Sequence, residues 1–225
     1  MKINIFRITA LTVLPLMLFA GCEESSTTDI NTIHGSGKIV SEIRTVDECS
    51  GISIINLGKV YLTQDTIQSI RIEADDNIID DVISRKESEF LNVGLEDGSY
   101  SNITLNIYVS LKTIGSISIN GAGNVELQND INCDDLNCTI NGAGNINLRG
   151  NGNYLNCLIN GAGDIYAEEF IVERCKVLIN GAGSTTVNVT EELDASVNGA
   201  GSIIYYGNPD SIKTSITGLG HITGK

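Results

Sequence analysis

The tetrapeptide Asn-Gly-Ala-Gly occurs five times, at Asn120–Gly123, Asn141–Gly144, Asn160–Gly163, Asn180–Gly183 and Asn198–Gly201. A worn sixth copy is Thr217-Gly218-Leu219-Gly220. First residues are separated by 21, 19, 20, 18 and 19 positions. A fixed period near twenty is the mark of a repeat array, in which each unit buries its apolar face only against its neighbours.

Aligned on Asn, the copies form columns. One place before Asn stand Ile119, Ile140, Ile159, Ile179 and Val197, and three before stand Ile117, Cys138, Cys157, Val177 and Ala195. Five before come Gly115, Leu136, Leu155, Cys175 and Leu193. Five after come Val125, Ile146, Ile165, Thr185 and Ile203, and seven after come Leu127, Leu148, Ala167, Val187 and Tyr205. Alternation of this kind is the signature of strands with one buried face. Each period therefore reads as strand, glycine corner, strand and variable connection. Stacked in register about 4.8 Å apart, such units predict an all-β fold: a right-handed parallel β-helix with coils of about 18–21 residues and a degenerate N-terminal cap.

The corners are Asn120, Gly121 and Gly123; Asn141, Gly142 and Gly144; Asn160, Gly161 and Gly163; Asn180, Gly181 and Gly183; and Asn198, Gly199 and Gly201. Glycine supplies backbone angles closed to other residues. The Asn amides are positioned to form a ladder along the stack. Ala at the corner centre suits a place where bulk would clash between coils. A phosphate cradle needs a strand-loop-helix context, which is absent.

Residues 1–21 read as a secretory signal: Lys2 and Arg7, an apolar run from Ile8 to Phe19, then Ala20-Gly21-Cys22. Small residues before Cys22 resemble the lipobox of bacterial lipoproteins, which implies cleavage after Gly21 and a lipid anchor on Cys22 holding the chain to a membrane. Residues 22–32 are polar and acidic, a flexible tether. Their acids resemble the surface-export signals of Bacteroidetes lipoproteins. The formal charge is −14, becoming −16 without the leader. That acidity disfavours nucleic acid as a partner.

The domain spans 33–225, with irregular strands over 33–114 and regular repeats over 115–225. Strands are expected at Ile52–Ile55, Val60–Thr63, Ile70–Glu73, Leu91–Val93 and Ile103–Val109, with one helical turn over Asn77–Ile83. Laying Asn56 on Asn120, with one residue deleted, makes the first half degenerate coils acting as a cap; a separate small β-domain is the competing reading.

Chemistry is thin. Cys138, Cys157 and Cys175 fall in inward columns, and Cys138 stacks on Cys157, as thiols or as a disulfide. Cysteine spacing fits no zinc site, and no metal or cofactor is implied. Asp130, Asp134 and Asp135 crowd one connection and Glu168 and Glu169 another, while His34 and His221 lie near opposite ends of the domain. No nucleophile-base pair emerges and no catalytic residue is assigned.

The run Gly115–Gly123, together with Ile33–Lys38, Val60–Gln64 and Glu73–Asn77, resembles the bacterial head GIN domain family, a domain of unknown function described as an adhesin domain. The resemblance implies a parallel β-helix on an exported protein of Bacteroidetes type. Asp65-Thr66-Ile67 and Asp210-Ser211-Ile212 resemble the Bacteroidetes O-glycosylation motif, placing sugars on Thr66 and Ser211. The expected role is a lipid-anchored cell-envelope protein, outer-membrane and surface-exposed or facing the periplasm, binding an extended glycan or protein without catalysis. Alternatives are a purely structural envelope lipoprotein or complex subunit and, last, a polysaccharide-active enzyme. Tyr154, Tyr166, Tyr205 and Tyr206 are the tyrosines of the repeats, with Tyr205 and Tyr206 the pair chosen as glycan contacts.

Overall fold

The computed structural model describes residues 32–225. The leader, Cys22 and most of the tether lie outside the described residues. The described chain is all-β, with one short 3₁₀ turn at Ile79–Asp81 inside the expected helical segment.

The irregular half contributes β1 (Ile33–His34), β2 (Ile39–Arg44), β3 (Gly51–Gln64), β4 (Ser69–Asp75), β5 (Val82–Glu87), β6 (Phe90–Leu95), β7 (Tyr100–Ser101) and β8 (Leu105–Leu111). The repeats contribute β9 (Ser116–Leu127), β10 (Ile131–Gly161), β11 (Asp164–Gly181), β12 (Ser184–Gly199), β13 (Ser202–Tyr206), β14 (Ser211–Gly218) and β15 (His221–Gly224). Thirteen strands make one mixed sheet, ordered β15-β13-β12-β11-β10-β9-β3-β8-β4-β2, with β14 on β12 and β5 and β6 attached through β3.

From β3 through β15 the repeat pairs run parallel, corner on corner: Asn141 opposite Asn120, Gly181 opposite Gly199. The apolar columns point inward and are closed to solvent, from Ile119 and Ile140 to Val197 and from Val125 to Ile203. The variable connections also pair. Gly150 lies opposite Phe170 and Gly152 opposite Val172. Phe170 is fully buried, and the bare Cα of Gly152 makes room, since a Cβ there would come within 3.1 Å of its ring.

Two expectations are corrected in the first half. β2 with β4, β4 with β8 and β5 with β6 pair antiparallel, so residues 33–114 are not a run of parallel coils. β3 pairs parallel with β9, and β6 and β8 pair parallel with β3 on its other side, so the parallel pattern runs one layer further before the antiparallel strands. Antiparallel strands suit the end of a stack, where the last layer must close the core instead of receiving another unit. The register also shifts by one place: Ile55, not Asn56, lies opposite Asn120, and Asn56 takes the place of Gly121. Asn56 holds φ at 58° there, and Asn is among the few non-glycine residues that tolerate that region.

Candidate functional site

The corners turn on two different properties of glycine. The first glycine of each copy has positive φ, between 136° and 156° from Gly121 to Gly199. The second, Gly123 through Gly201, is needed for close approach: a Cβ on Gly144 would lie 2.0 Å from the Gly123 carbonyl oxygen. The central Ala residues are exposed instead of packed between coils, so the expectation about their size is corrected. Above the glycines the Asn amides form a chain. Asn120 donates to Ser53 at 2.9 Å, Asn141 to Asn120 at 2.8 Å, Asn160 to Asn141 at 2.9 Å, Asn180 to Asn160 at 2.9 Å and Asn198 to Asn180 at 3.0 Å. Asn141, Asn160 and Asn180 each spend one N–H and one oxygen lone pair on the ladder, and the second of each stays open at the exposed edge.

The outward row beyond the corners is more varied. Arg71, Tyr108, Tyr61, Glu126, Asn147, Tyr166, Thr186 and Ile204 lie opposite one another across successive strands. Tyr61 and Tyr108 stack with centroids 4.9 Å apart. Arg71 sits 3.9 Å over the Tyr108 ring and Lys59 4.6 Å over the Tyr61 ring. Cations and ring stacking therefore cover these faces and tie β4 and β8 to β3.

Tyr166 is different. It is 44% exposed and stands at a surface cleft of about 540 Å³ with Glu126, Asn147, Arg149, Glu168 and Glu169. Its hydroxyl donates to Asp164 at 3.1 Å, fixing the ring, and partial burial followed by that bond raises its pKa above the ordinary phenol value. Arg149 is held by Asp130 at 2.6 Å. A flat ring ringed by carboxylates and amides can stack on a sugar and bond its hydroxyls. Tyr205, by contrast, is partly buried and packs on the core, so it is a poorer contact than the sequence suggested.

Asp134 and Asp135 line a second cleft of about 600 Å³ with Gln64 and Cys133. Asp134 accepts from Asn153 at 3.2 Å. Burial, then the two aspartates, pushes the Cys133 thiol up to about 11. Cys49, Cys133, Cys138, Cys157 and Cys175 are all free thiols, so the choice left open for Cys138 and Cys157 resolves to thiols. Among the described residues no group of three His, Cys, Asp or Glu is arranged to hold a metal ion, and no helix is long and apolar enough to cross a membrane. His34 lies on β1, in a separate two-stranded sheet, and His221 on β15 at the far edge of the main sheet. Thr66 and Ser211 are both exposed, in the turn after β3 and at the start of β14.

An all-β domain of stacked, glycine-cornered repeats is the class that this geometry defines. The chain belongs to the family described as "Putative auto-transporter adhesin, head GIN domain", whose model matches residues 49–209. Among solved structures, a "putative adhesin" from Bacteroides fragilis is 25% identical with a TM-score of 0.71, covering 86% of this chain and 100% of that one. A "putative adhesin" from Parabacteroides merdae is 20% identical with a TM-score of 0.55, covering 86% and 99%. A "Putative lipid binding protein" from Parabacteroides distasonis is 19% identical with a TM-score of 0.53, also covering 86% and 99%. These last two likenesses concern the fold alone. No curated protein matches the sequence.

Proposed function

We propose that this chain is a non-catalytic binding module of the cell envelope, which holds an extended glycan along the outward row beside Tyr166. The exposed, hydrogen-bonded Tyr166 ring in its cleft of acids and amides carries the reading. Successive strands repeat about every 4.8 Å, on the scale of one sugar ring, so a row crossing many strands suits a polymer better than a single small molecule. An extended protein segment is the runner-up ligand.

In this reading the repeats wind as a right-handed parallel β-helix. Its support is the parallel corner-on-corner pairing of segments 18–21 residues apart. The antiparallel strands over 33–114 cap it. Cys22 carries the lipid, residues 22–32 tether the domain to the outer membrane, and Thr66 and Ser211 are accessible enough to carry sugars.

Glycan-array and matrix-protein binding by the purified chain tests the idea. Binding that falls at least tenfold in Tyr166→Ala, with an unchanged melting curve, is expected. Absence of binding to every glycan and matrix protein would sink it.

A further inference from the structure

Two tyrosines of the outward row already hold a cation that the chain itself provides. On Tyr108 the Arg71 guanidinium lies 3.9 Å from the ring centroid, and the hydroxyl donates to Glu73, which also pairs with Arg71. On Tyr61 the Lys59 ammonium lies 4.6 Å from the centroid and 3.9 Å from a carboxylate oxygen of Glu126. Each unit is a ring, a cation on its face and a carboxylate that holds the cation, so the ring quadrupole and the negative charge act together.

Tyr166 repeats the unit without the cation. The register carries Tyr61 through Glu126 and Asn147 to Tyr166, and Lys59 through Asn124 and Asn145 to Asp164. The place that holds Lys59 beside Tyr61 therefore holds an acid beside Tyr166. Asp164 accepts from the Tyr166 hydroxyl at 3.1 Å, as Glu73 accepts from Tyr108. Glu168 and Glu169 line the same cleft of about 540 Å³ and form no salt bridge among the described residues. Arg149, the cation of the lining, is held by Asp130 at 2.6 Å. Among the described residues no cation lies over the Tyr166 ring, which stays 44% exposed.

A sugar meets more of this site than a lysine side chain does. Asn147 and Thr186 stand on either side of Tyr166 in the row and line the cleft. They bring an amide and a hydroxyl, which sugar hydroxyls can bond and the alkyl stem of a lysine cannot. The C–H face of a sugar ring stacks on the tyrosine while an amine on the same unit reaches the carboxylates. We infer that the Tyr166 cleft takes a glycan whose sugar units carry free, positively charged amines, the ammonium filling the role that Lys59 plays at Tyr61. The inference rests on the glycan reading above and narrows it, because the same carboxylates repel acidic sugars and gain nothing from N-acetylated ones.

Calorimetric titration of the full purified chain with a glucosamine hexamer, its N-acetylated counterpart and hexalysine tests this. The glucosamine hexamer is expected to bind at least tenfold more tightly than the N-acetylated one, and more weakly as salt rises. Glu168→Gln with Glu169→Gln should lower that binding at least tenfold with an unchanged melting curve. Asp164→Lys, which rebuilds the Lys59 arrangement at Tyr166, should abolish it; Asp164 also accepts from the Ser184 N–H at 2.7 Å, so the double glutamine variant decides if the lysine variant fails to fold. Equal binding of the two hexamers, or indifference to the two glutamines, overturns the inference and leaves the glycan reading standing. Hexalysine bound more tightly than the glucosamine hexamer overturns it in favour of a protein ligand. No binding of any glycan, here or on the array, removes both.

Discussion

Asn160 donates from Nδ2 to Oδ1 of Asn141 at 2.9 Å, while its own Oδ1 accepts from Asn180 at 2.9 Å. Each bond lies at an exposed corner, where water competes, so each contributes at the low end of the usual 0.5–1.5 kcal/mol. Asn160→Ala removes two such bonds and is expected to cost about 1 kcal/mol by urea denaturation. Asn198 donates to Asn180 at 3.0 Å as the upper end of the same run. Its replacement by Ala should cost about half as much. Equal costs would mean that the ladder is not a sum of bonds.

Gly142 tests the corner itself. Its φ is 143°, and a Cβ would lie 2.2 Å from the Gly121 carbonyl oxygen. Gly121 is the register partner of Gly142 in the adjacent parallel strand, so its main chain has little freedom to retreat. Gly142→Ala adds backbone strain to a clash with main chain and should destabilise by roughly 3 kcal/mol or more. Gly37→Ala is the control: φ is 76°, with nothing within 4 Å of the added atom. It should cost only about 1 kcal/mol. Thermal melts of the two variants separate strain from crowding.

How far the sequence revealed this fold follows from which forces are periodic. The inward columns were legible because burial repeats every second residue, and the corners because Gly142 and its equivalents meet one constraint in every copy. The antiparallel cap was not, since β2, β4 and β8 are short alternating segments whose pairing direction leaves no trace in their pattern. The Asn56 register was misread because Asn matched Asn by letter, whereas position 56 needs a residue that tolerates positive φ. Phe170 escaped because its burial depends on Gly150 and Gly152 a period earlier, not on alternation within its own segment. Of the site, the acids of the connections were noticed as charge, but Tyr166 could not be told from Tyr205 until exposure separated them.

Thr185 interrupts an otherwise aliphatic column of Val125, Ile146, Ile165 and Ile203. It is 1% exposed, and its hydroxyl has no hydrogen-bond partner among the described residues. An unmet buried hydroxyl costs about 1–3 kcal/mol. Thr185→Val replaces it with a methyl of nearly the same shape and should stabilise the fold by about 1 kcal/mol. A rise in the urea midpoint with unchanged slope is the expected reading; a fall would show that the hydroxyl does find a partner.

The thiols set the behaviour in base. Burial, then the neighbouring Cys157 and Cys133, holds the Cys138 thiol well above its ordinary value, and a bond to Cys157 followed by burial does the same for Cys175. Cys133 is pushed up to about 11. These groups keep their protons in the folded chain at pH values where the unfolded chain, with thiols near 9, has lost them. The unfolded state then binds fewer protons, so stability falls as pH rises. Below pH 9 both states hold the protons, and the contribution is constant. Melting temperature should therefore be flat between about pH 7 and 8.5 and fall steadily from about 9 to 11. Cys133→Ala should make that fall shallower. Thiol reagent at pH 8 should leave Cys138, Cys157 and Cys175 unmodified in the folded chain and label all three once urea opens it, because all three are closed to solvent in the core. Rapid labelling of any of the three without urea would contradict their place in the core.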